Sequence, residues 1–361
     1  FVHDMMLPHM RYGRLVKPPV PHARLLDAPE SLAMTGVDVI RDGSFLAVVA
    51  DREEDAAEAA LKLSAQARWE AGPLTPLPGE IPAYLRENVS ARLPVRDGRP
   101  EEEAAVPPPR PAGATQTLSA SYYRPFQMHG AMGPSAAIAQ FMNGVLTVYS
   151  HSQGVEILKL ALADALALDV EQVHVIHAEG AGCYGHNGAD DVALDAALLA
   201  MAVEPDPVRA QWTRADEHGF EPYAPAAVLD LQASLDANGR IVDWRHESIS
   251  FSHNGRPRPT PGYSNLQPSW WRAEPRAPAP RVPALFPEVG IHRNLEPIYD
   301  FPQKHLLKSL VAESPLRTSS LRSLGAFANV FAIESFMDEL AHAAAQDPIE
   351  FRLAHLTDPR A

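Results

Sequence analysis

A strand-like run, Val173-His174-Val175-Ile176-His177-Ala178, leads into Gly180-Ala181-Gly182-Cys183-Tyr184-Gly185-His186-Asn187-Gly188-Ala189-Asp190-Asp191, and a helix-like run follows to Ala200. A chain with this segment must place a glycine-rich turn between a strand and a helix. Glycines let bare backbone N–H groups approach a ligand closely, and a helix N-terminus favours negative charge. The local pattern therefore predicts a loop that cradles a large anionic group. Asp190 and Asp191 read first as residues that cap the helix and complement its dipole.

The spacing Gly180-x-Gly182-x-x-Gly185 matches a dinucleotide loop, but it comes late in the chain and no ribose-binding acid follows in a βαβ unit. It also lacks the Lys-Ser/Thr ending of a phosphate-binding P-loop. Cys183 invites a nucleophile reading with His186 or His177 as base; the plainer reading is a small packing residue. His174 and His177 fall on opposite faces of a strand, and no His-Glu-x-x-His is present, so the histidines do not form a metal-ligand pattern.

Bulk properties narrow the classes further. A chain of 361 residues with 46% hydrophobic residues has ample material for a core. Its net charge of −14 argues against non-specific nucleic-acid binding and against an anionic membrane surface. One cysteine excludes an intrachain disulfide and any iron–sulfur cluster or Cys-rich zinc site ligated by this chain alone. No apolar run reaches the roughly 18 residues of a membrane helix. The cysteine count favours a cytoplasmic setting; a targeting signal upstream of Phe1 would instead mean the periplasm.

In order along the chain, residues 1–95 read as a small α/β domain. Tyr12 to Val16, Val37 to Arg41 and Phe45 to Ala50 are expected strands. Asp51 then caps a helix, with Glu54 completing a capping box, and the helix runs to about Trp69. Residues 96–115 are expected to be a linker, because Pro100, Pro107, Pro108, Pro109 and Pro111, with Pro94 just before, oppose regular structure. A second domain, 116–361, opens with a strand at Leu118 to Tyr123. Asn143-Gly144 predicts a hairpin between Ala136–Met142 and Val145–Ser150. Gln153-Gly154 is a polar turn before a helix from Val155, and its carboxamide suits an oxo or phosphate group. A second hairpin is expected around Asn238-Gly239, an extended loop from Asn254 to about Glu296, a strand at Lys304 to Ala312, and helices at Ala326 to Ala345 and from Pro348 behind the Asp347 cap.

Taken together, these stretches resemble the molybdenum-binding large subunit of the xanthine dehydrogenase/aldehyde oxidase family, in its bacterial branch of isoquinoline 1-oxidoreductase and nicotinate dehydrogenase type. The resemblance rests on Phe1–Pro19, Tyr122 to Gly130, Ser150–Gly154, Gly180–Leu199 and Leu316–Arg352. The runs GAGCYGHNGADDVALDAALLA and LRSLGAFANVFAIESFMDELA are long and specific.

The resemblance implies an α+β fold: an α/β-hammerhead domain followed by the first half of a molybdenum-cofactor-binding domain. It implies a molybdenum–pterin (molybdopterin) cofactor, in bacteria often the cytosine dinucleotide form, whose own dithiolene holds the metal. The implied reaction is hydroxylation of an N-heteroaromatic or aldehyde with water as oxygen source, electrons leaving through a [2Fe-2S] partner subunit. Gln153, with Gly154, resembles the family glutamine turn at the metal. Gly182, Tyr184 and Gly185 resemble the glycine loop whose backbone approaches it. Arg322 and Gly325 resemble the arginine–glycine turn that contacts the active site from the other side.

Two departures matter. His186-Asn187 stands where the family loop runs on into Lys or Glu, and the purine-orienting glutamate has no match, which argues against xanthine. The catalytic glutamate of the family, in a Gly-x-Gly-Glu segment, has no match either. The expectation is a part of the subunit, with its C-terminal half supplied by the same gene or another chain. The alternative is a non-catalytic cofactor-binding or scaffold module. A thiol hydrolase built on Cys183 is the third.

Overall fold

The structure, a computed structural model, describes residues 1–72, 79–103 and 107–360. Positions 104–106 of the expected linker and 73–78 of the expected first domain lie outside the described residues. In chain order the elements are β1 (Arg11–Leu15), β2 (Arg24–Asp27), β3 (Val37–Asp42), β4 (Phe45–Ala50), α1 (Glu53–Gln66), β5 (Arg68–Glu70), α2 (Ile81–Glu87), β6 (Ala91–Arg96), β7 (Arg99–Pro100), β8 (Gln116–Arg124), β9 (Ala136–Met142), β10 (Val145–Ser150) and α3 (Val155–Leu166). They continue with β11 (Val173–His177), α4 (Ala189–Ala202), β12 (Val208–Gln211), α5 (Arg214–Phe220), β13 (Ala227–Leu235), β14 (Ile241–Phe251), β15 (Lys304–Val311), α6 (Ala326–Ala343) and α7 (Pro348–Leu353).

The chain forms two compact units, and each draws segments from both sides of the proline-rich stretch. The first comprises Phe1–Pro76, Met128–Pro222 and Gly255–Pro280; the second comprises Leu77–Gln127, Tyr223–Asn254 and Arg281–Ala361.

In the first unit a mixed sheet has the order β11-β10-β9-β12-β1-β4-β3, with β1/β12 and β10/β11 parallel. β4 shows why it folds this way. All six of its residues are buried, and alternate side chains enter different cores. Phe45, Ala47 and Val49 join α3 and α4 on one face; Leu46 and Val48 join Ala59 and Leu63 of α1 on the other. The Asn143-Gly144 hairpin forms as expected, with both residues in the left-handed region at φ 53° and 78°.

Two local expectations are corrected here. α1 starts at Glu53 behind Arg52, with no side-chain cap; the Asp51 carboxylate instead accepts a hydrogen bond from Arg11 Nε at 3.0 Å. The helix ends at Gln66, and Arg68–Glu70 leaves it as a strand paired with β2. A long-range ion pair and a strand partner therefore override a local capping signal.

The second unit is a sheet of order β7-β6-β15-β14-β13-β8. Leu229, Leu231, Ala233 and Leu235 of β13 pack with Trp244 against Ile333, Phe336, Met337 and Leu340 of α6. Ala226 and Val228 turn to the opposite face with Leu85 of α2. The expected linker is corrected at its start. Pro94 and Pro100 sit in strands, Pro94 opposite Leu307, at the margin of the sheet where a missing N–H is tolerated. Asp347 caps α7 as expected, accepting from the backbone N–H groups of Ile349 and Glu350.

Candidate functional site

In the first unit the Gln153-Gly154 turn and the glycine loop are built from backbone inward. Ser150 and Ser152 stiffen the turn: the Ser150 hydroxyl accepts from Ser152 N–H and the Ser152 hydroxyl from Gly154 N–H, both at 3.1 Å. Gly154 then starts α3, its carbonyl accepting from Leu158 N–H at 2.9 Å. The Gln153 side chain projects outward and is exposed.

The loop needs its glycines for two different reasons. Gly182 and Gly185 hold φ near 127° and 128°, which side chains on an L-residue oppose. Gly180 is a close approach instead: a Cβ there would lie 2.5 Å from the His151 ring. Tyr184 also takes a left-handed φ of 60° and folds over Gly182, whose added Cβ would meet the tyrosine ring at 2.8 Å. The tyrosine remains 43% exposed, so its ring is presented at the loop surface.

Cys183 behaves as a packing residue. Its thiol donates to Gly185 O at 3.1 Å and Asn187 Oδ1 at 3.4 Å. Burial, with Asp190 nearby, pushes its pKa up, which disfavours the thiolate that a nucleophile needs. His177 does not serve it: His177 Nδ1 lies 3.3 Å from Ser152 O.

Behind the loop, α4 begins with a buried polar layer. His186 Nε2 stands 3.2 Å from Asp190 Oδ2. Asp191 Oδ1 accepts from Gln267 N–H at 2.8 Å, so these acids bind other segments rather than merely capping the helix. The Asn187 side-chain oxygen meets the first helical N–H, of Ala189, at 3.1 Å. Among the described residues, Asn187 Nδ2 and both side-chain polar atoms of Gln267 are buried without a hydrogen-bond partner.

Sequence reasoning missed Arg256 and Gln267, both placed in an undifferentiated loop. Arg256 donates through Nη2 to Gly185 O at 2.8 Å and stands 3.7 Å from Asp190 Oδ2. The available signal was Pro257, with Pro259 beyond it: a proline directly after the arginine restricts the backbone on that side.

Arg322 and Gly325 belong to the second unit. Arg322 is exposed on a turn in which Ser323 and Leu324 both have positive φ, 75° and 55°. Leu324 O accepts from Arg124 Nη1 at 3.1 Å, fixing that turn. Gly325 precedes α6 and is a packing glycine: its N–H donates to Gly290 O at 3.0 Å, and an added Cβ would lie 2.4 Å from that same oxygen. The expected site residues therefore fall as one group of five in the first unit and a pair in the second.

The donor set fits an anionic, hydrogen-bonding group better than a directly ligated ion. The loop offers backbone in glycine-only conformations, the exposed Gln153 amide and the Arg256 guanidinium, and buried amide donors lie unspent behind it. Among the described residues, no group of three or more His, Cys, Asp or Glu is placed to hold a metal ion.

Residues 109–254 match the molybdopterin cofactor-binding domain. The chain is similar to part of the molybdenum-binding large subunits of the xanthine dehydrogenase/aldehyde oxidase family. It is 38% identical, over its whole length, to a nicotinate dehydrogenase subunit of Pseudomonas putida, and spans 29% of that protein. Half of it aligns at 27% identity with the beta subunit of isoquinoline 1-oxidoreductase from Brevundimonas diminuta, covering 20% of that protein. The fold superposes on quinoline 2-oxidoreductase from Pseudomonas putida 86 with a TM-score of 0.71 at 18% identity, over 100% of this chain and 48% of the other. No helix among the described residues is long and apolar enough to cross a membrane.

Proposed function

We propose that this chain forms part of the molybdenum-binding subunit of a hydroxylase that oxidises an N-heteroaromatic carbon or an aldehyde with water as oxygen source. The observation that carries the proposal is the 38% identity to the nicotinate dehydrogenase subunit across the whole chain. The cofactor assigned is a molybdenum–pterin, in cytosine dinucleotide form, which when bound supplies the two-electron redox centre. The electron-accepting partner assigned is a [2Fe-2S] subunit, and the remainder of the molybdenum subunit completes the site with the catalytic base.

Within this chain each residue has a physical task. The Gln153 carboxamide donates a hydrogen bond to the group, and Gly154 lets the backbone approach it. Gly182 and Gly185 hold the loop backbone in torsions that only glycine takes readily, and Tyr184 shields that face from water. Arg322 provides a fixed cationic donor on a turn anchored by Gly325. The segments 1–95 and 116–361 are proposed to correspond to the hammerhead domain and the first half of the cofactor-binding domain.

The test is elemental and pterin analysis of the full-length gene product with its partner subunits, purified from the native host, followed by turnover of nicotinate, quinoline, isoquinoline and an aromatic aldehyde. Stoichiometric molybdenum and pterin with turnover of at least one of these is the expected result. Protein free of both overturns the proposal.

A further inference from the structure

We infer that Arg256 is a positioning residue that fastens the glycine loop to the first turn of α4, beside the Gln153-Gly154 turn. The inference rests on the function proposed above, since it concerns how the glycine loop of the cofactor site is held in place.

One hydrogen bond, one ion pair and one close approach of a single guanidinium carry it. Nη2 donates to Gly185 O at 2.8 Å. That carbonyl belongs to a residue at φ 128°, the last swivel of the loop, so the bond holds the loop at its most deformable joint. Nε lies 3.7 Å from Asp190 Oδ2, which ties the same side chain to the first turn of α4. Nη1 faces Gly154: a Cβ on that glycine would come within 3.1 Å of it. The side chain is 24% exposed, so water competes little for these donors.

The shape of the group matters as much as its charge. A guanidinium is a rigid planar fork whose N–H groups address separate partners, whereas an ammonium is a single point on a flexible stem. A lysine at 256 could keep the carbonyl or the carboxylate but not address both at once. A side chain at 154 would crowd the guanidinium, which would have to give by a few tenths of an ångström.

The experiment uses the full-length protein with its partner subunits: wild type, Arg256→Lys, Arg256→Met, and Arg258→Met as an exposed control. Three quantities are read: the rate of molybdenum and pterin loss on dilution, the electron paramagnetic resonance spectrum of the dithionite-reduced centre, and the melting temperature of cofactor-stripped protein. Removing a charged donor from a carbonyl predicts cofactor loss roughly ten- to a hundredfold faster in Arg256→Met. The spectrum should shift, Arg256→Lys should be intermediate, Arg258→Met should match wild type, and the stripped proteins should melt together.

Wild-type retention and spectrum in Arg256→Met would overturn the inference. So would a stripped Arg256→Met protein that melts well below wild type, which would make the residue merely structural. Wild-type protein lacking molybdenum and pterin would instead sink the proposed function, so the two failures are distinct.

Discussion

The Lys17 ammonium lies over the Trp212 ring, 3.8 Å from its centroid. Phe220 and Trp271 complete an aromatic enclosure at 5.4 and 5.0 Å, and Asp195 Oδ2 is the counter-ion at 3.5 Å. Both charged side chains are almost wholly buried. The Asp195 carboxylate also accepts from Trp212 Nε1 at 2.7 Å. Replacing Lys17 by Met leaves that carboxylate buried without its cation, which should cost about 3–5 kcal/mol. Burial already pushes the Asp195 pKa up to about 6, against the opposing effect of Lys17. A carboxyl with a raised folded-state pKa contributes most at low pH and loses that contribution as pH rises through the folded value. The Lys17→Met deficit should therefore be larger at pH 8 than at pH 5. Urea midpoints at the two pH values check this; equal deficits would show that the pair is not the source.

Acid should destabilise the second unit through buried histidines. His246 and His253 are both pushed down to about 3, chiefly by loss of hydration; Asp230 opposes at His246, while Arg124 and Lys308 add at His253. The unfolded chain binds a proton near the ordinary 6.5, and the folded chain does not. Stability from each is complete above that value and falls with decreasing pH toward 3, by up to about 1.4 kcal/mol per pH unit. His246→Leu should flatten the decline between pH 6.5 and 4, measured as the pH dependence of urea unfolding.

Gly325→Ala should be destabilising by about 1–3 kcal/mol, because the added methyl would meet backbone oxygens that cannot swing aside. These are Gly290 O at 2.4 Å and Ile291 O at 2.5 Å. Gly219 is the contrasting position: it lies in α5 and an added Cβ there meets nothing within 4 Å. Gly219→Ala should be stabilising, by about 0.5–1 kcal/mol. Calorimetric melting of the pair distinguishes close packing from a general intolerance of substitution.

Cys183 should alkylate slowly with iodoacetamide at pH 7.5, about tenfold or more below a free thiol, and accelerate only as pH rises beyond the usual thiol range. Its raised pKa and two acceptors give that sign. A fast reaction at neutral pH would revive the thiol-nucleophile reading.

The elements most legible in the sequence were those whose signal is local. Asn143-Gly144 specified its own turn, Asp347-Pro348 its own cap, and the run Phe45–Ala50 a strand buried on both faces. What local pattern could not show was decided by distant partners. Arg11 takes Asp51 away from the helix it was expected to cap, and β15 accepts Pro94 into a strand. The glycine-dependent turn between strand and helix was legible, but Arg256 was not, because its partners Gly185 and Asp190 lie some seventy positions earlier.

Helix α4 is buried along almost its whole circumference, from Ala189 to Ala200. Asp191 is tied to Gln267, and Asp195 to Lys17 and Trp212. A helix held at several points around its axis cannot slide or roll to meet a ligand. It serves as the fixed datum from which the loop 180–188 is measured. The far end of that loop is thus pinned twice, by the helix it enters and by the Arg256 guanidinium on the Gly185 carbonyl, which leaves Gly182 as the glycine joint furthest from both anchors.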